Sequence, residues 1–187
     1  MHDLEPITAL GGSEPRVDRV AGRTLCEVPD LALASVAARR GHEAACAARL
    51  AEILGAPVPG PGRSVNAAPF AGFWTGPDQW MITAAHDTHE GLADEVKSIL
   101  GDNASVTEQN DAWVTFDLTG DDIRPVLELL CNIDLARFET GAATRATIHH
   151  LGCFVLCIET ATHCRFHGAR ASARSLHHAL VTAMAAA

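Results

Sequence analysis

Residues 70–84 read Phe-Ala-Gly-Phe-Trp-Thr-Gly-Pro-Asp-Gln-Trp-Met-Ile-Thr-Ala. Two apolar runs, Phe70–Thr75 and Trp80–Ala84, flank Gly76-Pro77-Asp78, three residue types that each favour a turn for its own backbone reason. The pattern predicts two strands joined as a hairpin. On its N-terminal side Cys46, Leu50, Ile53 and Leu54 fall at i, i+4, i+7 and i+8, a helical period that Gly55 and Pro57 terminate. On its C-terminal side Leu92, Val96, Ile99 and Leu100 repeat that spacing, with Thr88 as the expected N-cap and Gly101 as the C′ residue. Leu31–Ala38, nearly all apolar, reads as a strand covered on both faces. Residues 31–100 therefore run strand, helix, strand, strand, helix.

The same order is expected again over residues 113–184. Trp113–Leu118 alternates Val114, Phe116 and Leu118 against Trp113, Thr115 and Asp117, the period of a strand. Ile123, Val126, Leu127 and Leu130 share a helix face, with Asp121 and Asp122 at its positive end and Pro125 tolerated in the first turn. Thr144–His150 and Cys153–Glu159 read as a hairpin about Leu151-Gly152, and His163–His167 as an edge piece. Leu176, Leu180 and Met184 mark a last helix. The expectation is an α+β chain: an arm over residues 1–22, then one composite domain over residues 23–187. Its half-repeats cover about 31–100 and 113–184, each with helices against an antiparallel sheet. Gly55–Pro69 reads as a Gly/Pro-rich surface loop.

Composition narrows the partners. The 187 residues are 48% hydrophobic and 20% charged, which excludes general disorder. A formal charge of -9 disfavours wrapping nucleic acid or coating an anionic bilayer. The charge is uneven: residues 78–139 carry fourteen acids against three bases, and residues 141–187 carry four arginines against one acid. No apolar run is long enough to span a bilayer. The opening Met1-His-Asp-Leu-Glu-Pro lacks the basic and apolar regions of an export leader. Six cysteines without a leader imply reduced thiols in a cytoplasmic protein.

Eight of the ten histidines lie beyond residue 85 and four of the six cysteines beyond residue 130. His163-Cys164-Arg165-Phe166-His167, His149-His150, Cys153 and Cys157 could be drawn as a zinc site. On a strand, however, Cys153 and Cys157 stand about 13 Å apart, too far to share an ion. Cys164, beside Arg165 and between two histidines, is the best candidate for an activated thiol, yet no oxyanion donor or orienting carboxylate lies nearby in sequence. The carboxylate pairs Asp94-Glu95 and Asp121-Asp122 sit where helix starts and solvation explain them. The chain contains no HExxH, GxSxG, P-loop or GxGxxG. No catalytic, cofactor or metal residue is expected. The remaining candidate is the aromatic turn, where Trp74 and Trp80 about Gly76-Pro77-Asp78 serve either as core or as interface anchors.

The run Phe73-Trp74-Thr75-Gly76-Pro77-Asp78-Gln79-Trp80-Met81-Ile82 resembles the gamma subunit of heterotetrameric sarcosine oxidase, with Gln79 where an acid is usual. The later order agrees: strand Val114–Leu118, a helix opened by Thr119-Gly120, then Cys131-Asn132-Ile133-Asp134-Leu135, with Asn132 where proline is common, the hairpin, and a helix from near Gly168–Ala173. The resemblance covers roughly residues 25–185. It implies the fold of the N-terminal region of the glycine cleavage T-protein, two ferredoxin-like βαββα halves. It also implies a non-catalytic subunit with alpha, beta and delta partners, of which alpha and beta carry FAD, FMN, NAD and the folate site, in a complex that oxidises sarcosine to glycine and passes the one-carbon unit to tetrahydrofolate. The alternatives are a stand-alone folate-binding or one-carbon transfer protein, and a thiol enzyme using Cys164.

Overall fold

The computed structural model describes residues 6–187, so all but the last residue of the stretch read for a leader lies outside the described residues. In chain order the elements are β1 (Val17–Val20), β2 (Arg23–Glu27), β3 (Leu31–Ala38), α1 (Glu43–Leu54), β4 (Ser64–Val65), β5 (Ala71–Gly76), β6 (Gln79–Ala85), α2 (Leu92–Leu100) and β7 (Ala104–Glu108). They continue with β8 (Trp113–Thr119), α3 (Arg124–Leu130), β9 (Ala143–Ile148), β10 (Leu151–Glu159), β11 (His163–Ala169) and α4 (Ala173–Ala186). The chain divides into two compact units: Asp30–Asn110 with Gly141–Ala143, and the remainder.

In the unit built on Asp30–Asn110 the sheet order is β4-β5-β6-β3-β7, with antiparallel pairing throughout. Alternation along β3 and β6 sends Ala32, Ala34, Val36, Trp80, Ile82 and Ala84 to one face. There α1 and α2 lay down Cys46, Leu50, Leu54, Leu92, Val96 and Leu100, and these side chains form one buried cluster. The helical period thus finds the face it needs. Gly55 ends α1 at φ 62 and Gly101 ends α2 at φ 54, backbone angles that glycine adopts without penalty. Thr88 does not cap α2: Gly91 is the N-cap residue, and the Thr88 hydroxyl donates instead to the carbonyl of Ala85. Strand β7, polar and exposed along one side, had no apolar period to announce it.

In the other unit the order is β1-β2-β8-β11-β10-β9. Residues 17–20, within the stretch read as an arm, form β1 and pair with β2. The second hairpin turns on His149-His150, not Leu151-Gly152, and both histidines take positive φ (47 and 69). Two such residues match the twist of the flanking strands, so the turn chemistry overrode the usual preference for glycine. Replacing the pair by an Asn-Gly dipeptide (His149→Asn with His150→Gly) is expected to raise stability by about 1 kcal/mol, read as a higher urea midpoint. Strand β11 is not an edge piece: it lies between β8 and β10.

Val114, Phe116, Leu118, Cys164, Phe166 and Gly168 share the face covered by helices, where Ile123, Val126, Leu176, Leu180 and Met184 are buried. α4 comes so close that a Cβ on Gly168 would stand 2.5 Å from Leu176 Cδ2. Leu176 is itself fully buried. Gly168→Ala is therefore expected to cost about 1–3 kcal/mol in a denaturation curve, because a packed leucine must move. In both sheets the strand preceding a helix, β3 or β8, is central and its neighbour is the second strand of a hairpin, β6 or β11. Its other flank differs: β7 follows α2 in the chain, whereas β2 precedes β8.

Candidate functional site

The aromatic turn is built by pairing. Trp74 and Trp80 are directly opposed across β5 and β6, and a bulge between Trp74 and Gly76 leaves Pro77-Asp78 to reverse the chain. Asp78 takes φ 54, and its carbonyl accepts the N–H of Ala38, which ties the turn to β3. Trp80 is 5% exposed and its indole N–H donates to the Pro59 carbonyl at 2.9 Å. That bond reaches into the Gly/Pro-rich loop and satisfies the one polar atom a buried indole carries. Trp74 packs half-buried on the same cluster. Gly76 is partly covered, while Pro77, Asp78 and Gln79 are exposed. Of the candidate motif, Trp80 belongs to the core and the turn tip is what a partner could touch.

A second constellation lies on the opposite face of the β8–β11 sheet from α4. Arg165 stands directly across from Asp117 and makes two hydrogen bonds to its carboxylate, at 2.7 and 2.8 Å. His163 Nε2 lies 3.2 Å from the same carboxylate. Burial alone would raise the Asp117 carboxyl, but the bonds from Arg165 and then His163 outweigh it and hold it down to about 2. One register step on, His167 Nδ1 lies 2.9 Å from the Thr115 hydroxyl. Phe154 of β10 stacks obliquely on Trp113 and carries the Arg145 guanidinium over its ring, closing the layer at one end. A separate pair, His177 and Asp18, joins α4 to β1 at 2.7 Å, with Arg16 holding Asp18 bidentately. The Arg16 hydrogen bond, with help from His177 and against slight burial, brings the Asp18 carboxyl down to about 2.

His167 is 1% exposed, and burial, reinforced by the Arg165 charge, pushes its imidazole down to about 3. The sign of the consequence follows from proton counts. The unfolded chain binds a proton at this residue as pH falls below its ordinary 6.5, whereas the folded chain does not until about 3. Stability is therefore expected to fall by about 1.4 kcal/mol per pH unit as pH drops from the ordinary 6.5 toward about 3, on account of this one group. Urea unfolding between pH 7 and pH 5 checks it, and His167→Asn is expected to remove that slope.

The cysteines do not form the centre the sequence allowed. Cys164 is 1% exposed and burial pushes its thiol strongly up, with the neighbouring Cys157 and Cys131 adding to it, so it is no activated nucleophile. Alternation places Cys164 on the helix-covered face and His163 and His167 on the other, so the three cannot converge on one atom. His149 and His150 sit in the turn. Among the described residues no group of three or more His, Cys, Asp or Glu is placed to hold a metal ion. Among them also, no helix is long and apolar enough to cross a membrane. The polar layer about Asp117 had one sequence signal, polar residues at every second position of both strands. Its pairing, 48 residues apart, had none.

No protein-family model and no curated protein matches the chain. Among solved structures, the fold is similar to a chain of heterotetrameric sarcosine oxidase from Corynebacterium sp. U-96 in complex with pyrrole 2-carboxylate. The TM-score is 0.75 and the identity 22%, covering 90% of this chain and 86% of that one. It is also similar to the glycine cleavage system aminomethyltransferase T from Bartonella henselae, with TM-score 0.59 and 13% identity over 83% of this chain. The match spans 44% of that protein's length. The chain thus has the α+β fold found in a sarcosine oxidase chain and in part of an aminomethyltransferase.

Proposed function

We propose that the chain is a non-catalytic, gamma-type subunit of a sarcosine oxidase-like heterotetramer in the cytoplasm. The single observation that carries this reading is the extent of the likeness: 90% of this chain matches 86% of a chain from a heterotetrameric enzyme. The aminomethyltransferase is matched over less than half its length. The sheet orders support the finer reading of two ferredoxin-like units, one of them completed by an N-terminal strand. In this proposal alpha, beta and delta subunits are the partners, and alpha and beta supply FAD, FMN, NAD and the tetrahydrofolate site. Oxidative demethylation of sarcosine to glycine proceeds there, and this chain supports assembly through an exposed surface that includes the Pro77-Asp78-Gln79 tip. The polar layer about Asp117 is then a scaffold feature, since its charges are spent on one another.

The second reading, a stand-alone folate-binding or one-carbon transfer protein, rests on the aminomethyltransferase likeness. Calorimetric titration of the purified chain with tetrahydrofolate separates the two. The subunit reading predicts no saturable heat from the chain alone. Tight, stoichiometric binding would favour the second reading.

A further inference from the structure

Cys157 and Cys164 are direct cross-strand partners on the helix-covered face of β10 and β11. Directly opposed residues in an antiparallel pair have Cα atoms about 4.5–5.5 Å apart, inside the roughly 4.4–6.8 Å that a disulfide spans. The two thiols lie on the same face of the sheet and each perturbs the other's protonation, as neighbouring sulfurs do. A bulge just beyond Cys157 breaks the ladder there. Both sulfur-bearing residues line a cavity of about 210 Å³, whose other walls include Leu127, Phe138, Thr160 and the exposed Arg124 and Glu139. That space admits a molecule of two or three heavy atoms. The other thiols on this face compete poorly. Cys153 is four residues along the same strand, about 13 Å away, and Cys131 directs its S–H at the Leu127 carbonyl.

We propose that Cys157 and Cys164 are a modification site: an oxidisable thiol pair that a small hydroperoxide, entering this cavity, converts to a disulfide. The Cys157 sulfur attacks one peroxide oxygen, the O–O bond breaks, and water leaves, giving a sulfenic acid at Cys157. The Cys164 sulfur then attacks the Cys157 sulfur, the S–O bond breaks, and a second water leaves carrying the remaining thiol proton. Two thiols and one hydrogen peroxide become one disulfide and two waters. Burial raises both thiols, most strongly at Cys164, so Cys157 attacks first and the reaction is slow.

The test treats the native full chain with excess hydrogen peroxide, quenches, denatures and alkylates it, and analyses the tryptic peptide 146–165, which carries Cys153, Cys157 and Cys164. The expected product has lost two hydrogens and carries one alkyl group, at Cys153, with no fragment ions between residues 157 and 164. Dithiothreitol before alkylation restores three alkyl groups. In Cys157→Ser, Cys164 is expected to keep full labelling after peroxide. Three alkyl groups on the treated wild-type peptide would overturn the proposal. So would loss of label at Cys153 or Cys131 in place of the pair, or irreversible sulfinic acid at either member.

Discussion

Replacing Trp80 by alanine is expected to cost about 3–5 kcal/mol, the range for truncating a buried aromatic side chain. The indole is 5% exposed and belongs to the buried cluster of β3, β6, α1 and α2, so its removal leaves a void there beside Val36, its cross-strand partner. It also strands the Pro59 carbonyl, which would lose its 2.9 Å donor. For a chain of this size such a loss lowers Tm by about 6–20 °C. Trp80→Phe is expected to fall between, because it restores most of the volume and none of the hydrogen bond. A Trp80→Ala protein that unfolds at the wild-type urea concentration but no longer assembles would move Trp80 from the core to an interface.

Arg165→Leu is expected to cost about 2–4 kcal/mol, since it leaves a half-buried carboxylate without its principal partner. The side chains of Asp117 and Arg165 are 16% and 20% exposed, so water replaces the lost bonds poorly. The paired replacement, Asp117→Leu with Arg165→Leu, is expected to recover much of the loss, because both charges leave together. The pH dependence has a definite sign. The folded carboxyl titrates at about 2 and the unfolded one at 3.8, so the contribution is present above pH 4 and lost as pH falls toward 2. The amount at stake is about 2 kcal/mol. Arg165→Leu with unchanged stability would show that the layer is solvated and the pair incidental.

These two sites show what is legible in the sequence. The helices α1, α2, α3 and α4 are readable because each has one apolar stripe and a glycine, proline or chain end nearby. The β5–β6 hairpin is readable because Gly76-Pro77-Asp78 interrupts two apolar runs. Strands β1, β2 and β7 are four or five residues long and carry at least as many polar as apolar side chains, so hydropathy gives no sign of them. The edge position expected for β11 fails for a related reason. His163, Arg165 and His167 look like solvent-facing residues, but their polarity is met by Asp117 and Thr115 within the sheet. The second turn lies two residues before the glycine that marks it in the sequence, because here two histidines take the positive φ. The pairing of Asp117 with Arg165, and of Cys157 with Cys164, depends on strand register, which only the folded chain fixes.

If this chain works as a subunit, it is recovered from the cell bound to its partners. Affinity purification of the tagged chain from cells that carry it, followed by a visible absorption spectrum and an assay for sarcosine-dependent hydrogen peroxide, tests it most directly. The expected result is two or three co-eluting chains, flavin absorbance and sarcosine-dependent peroxide release. A single colourless chain, with no activity toward sarcosine or any other N-methyl amino acid, would contradict it.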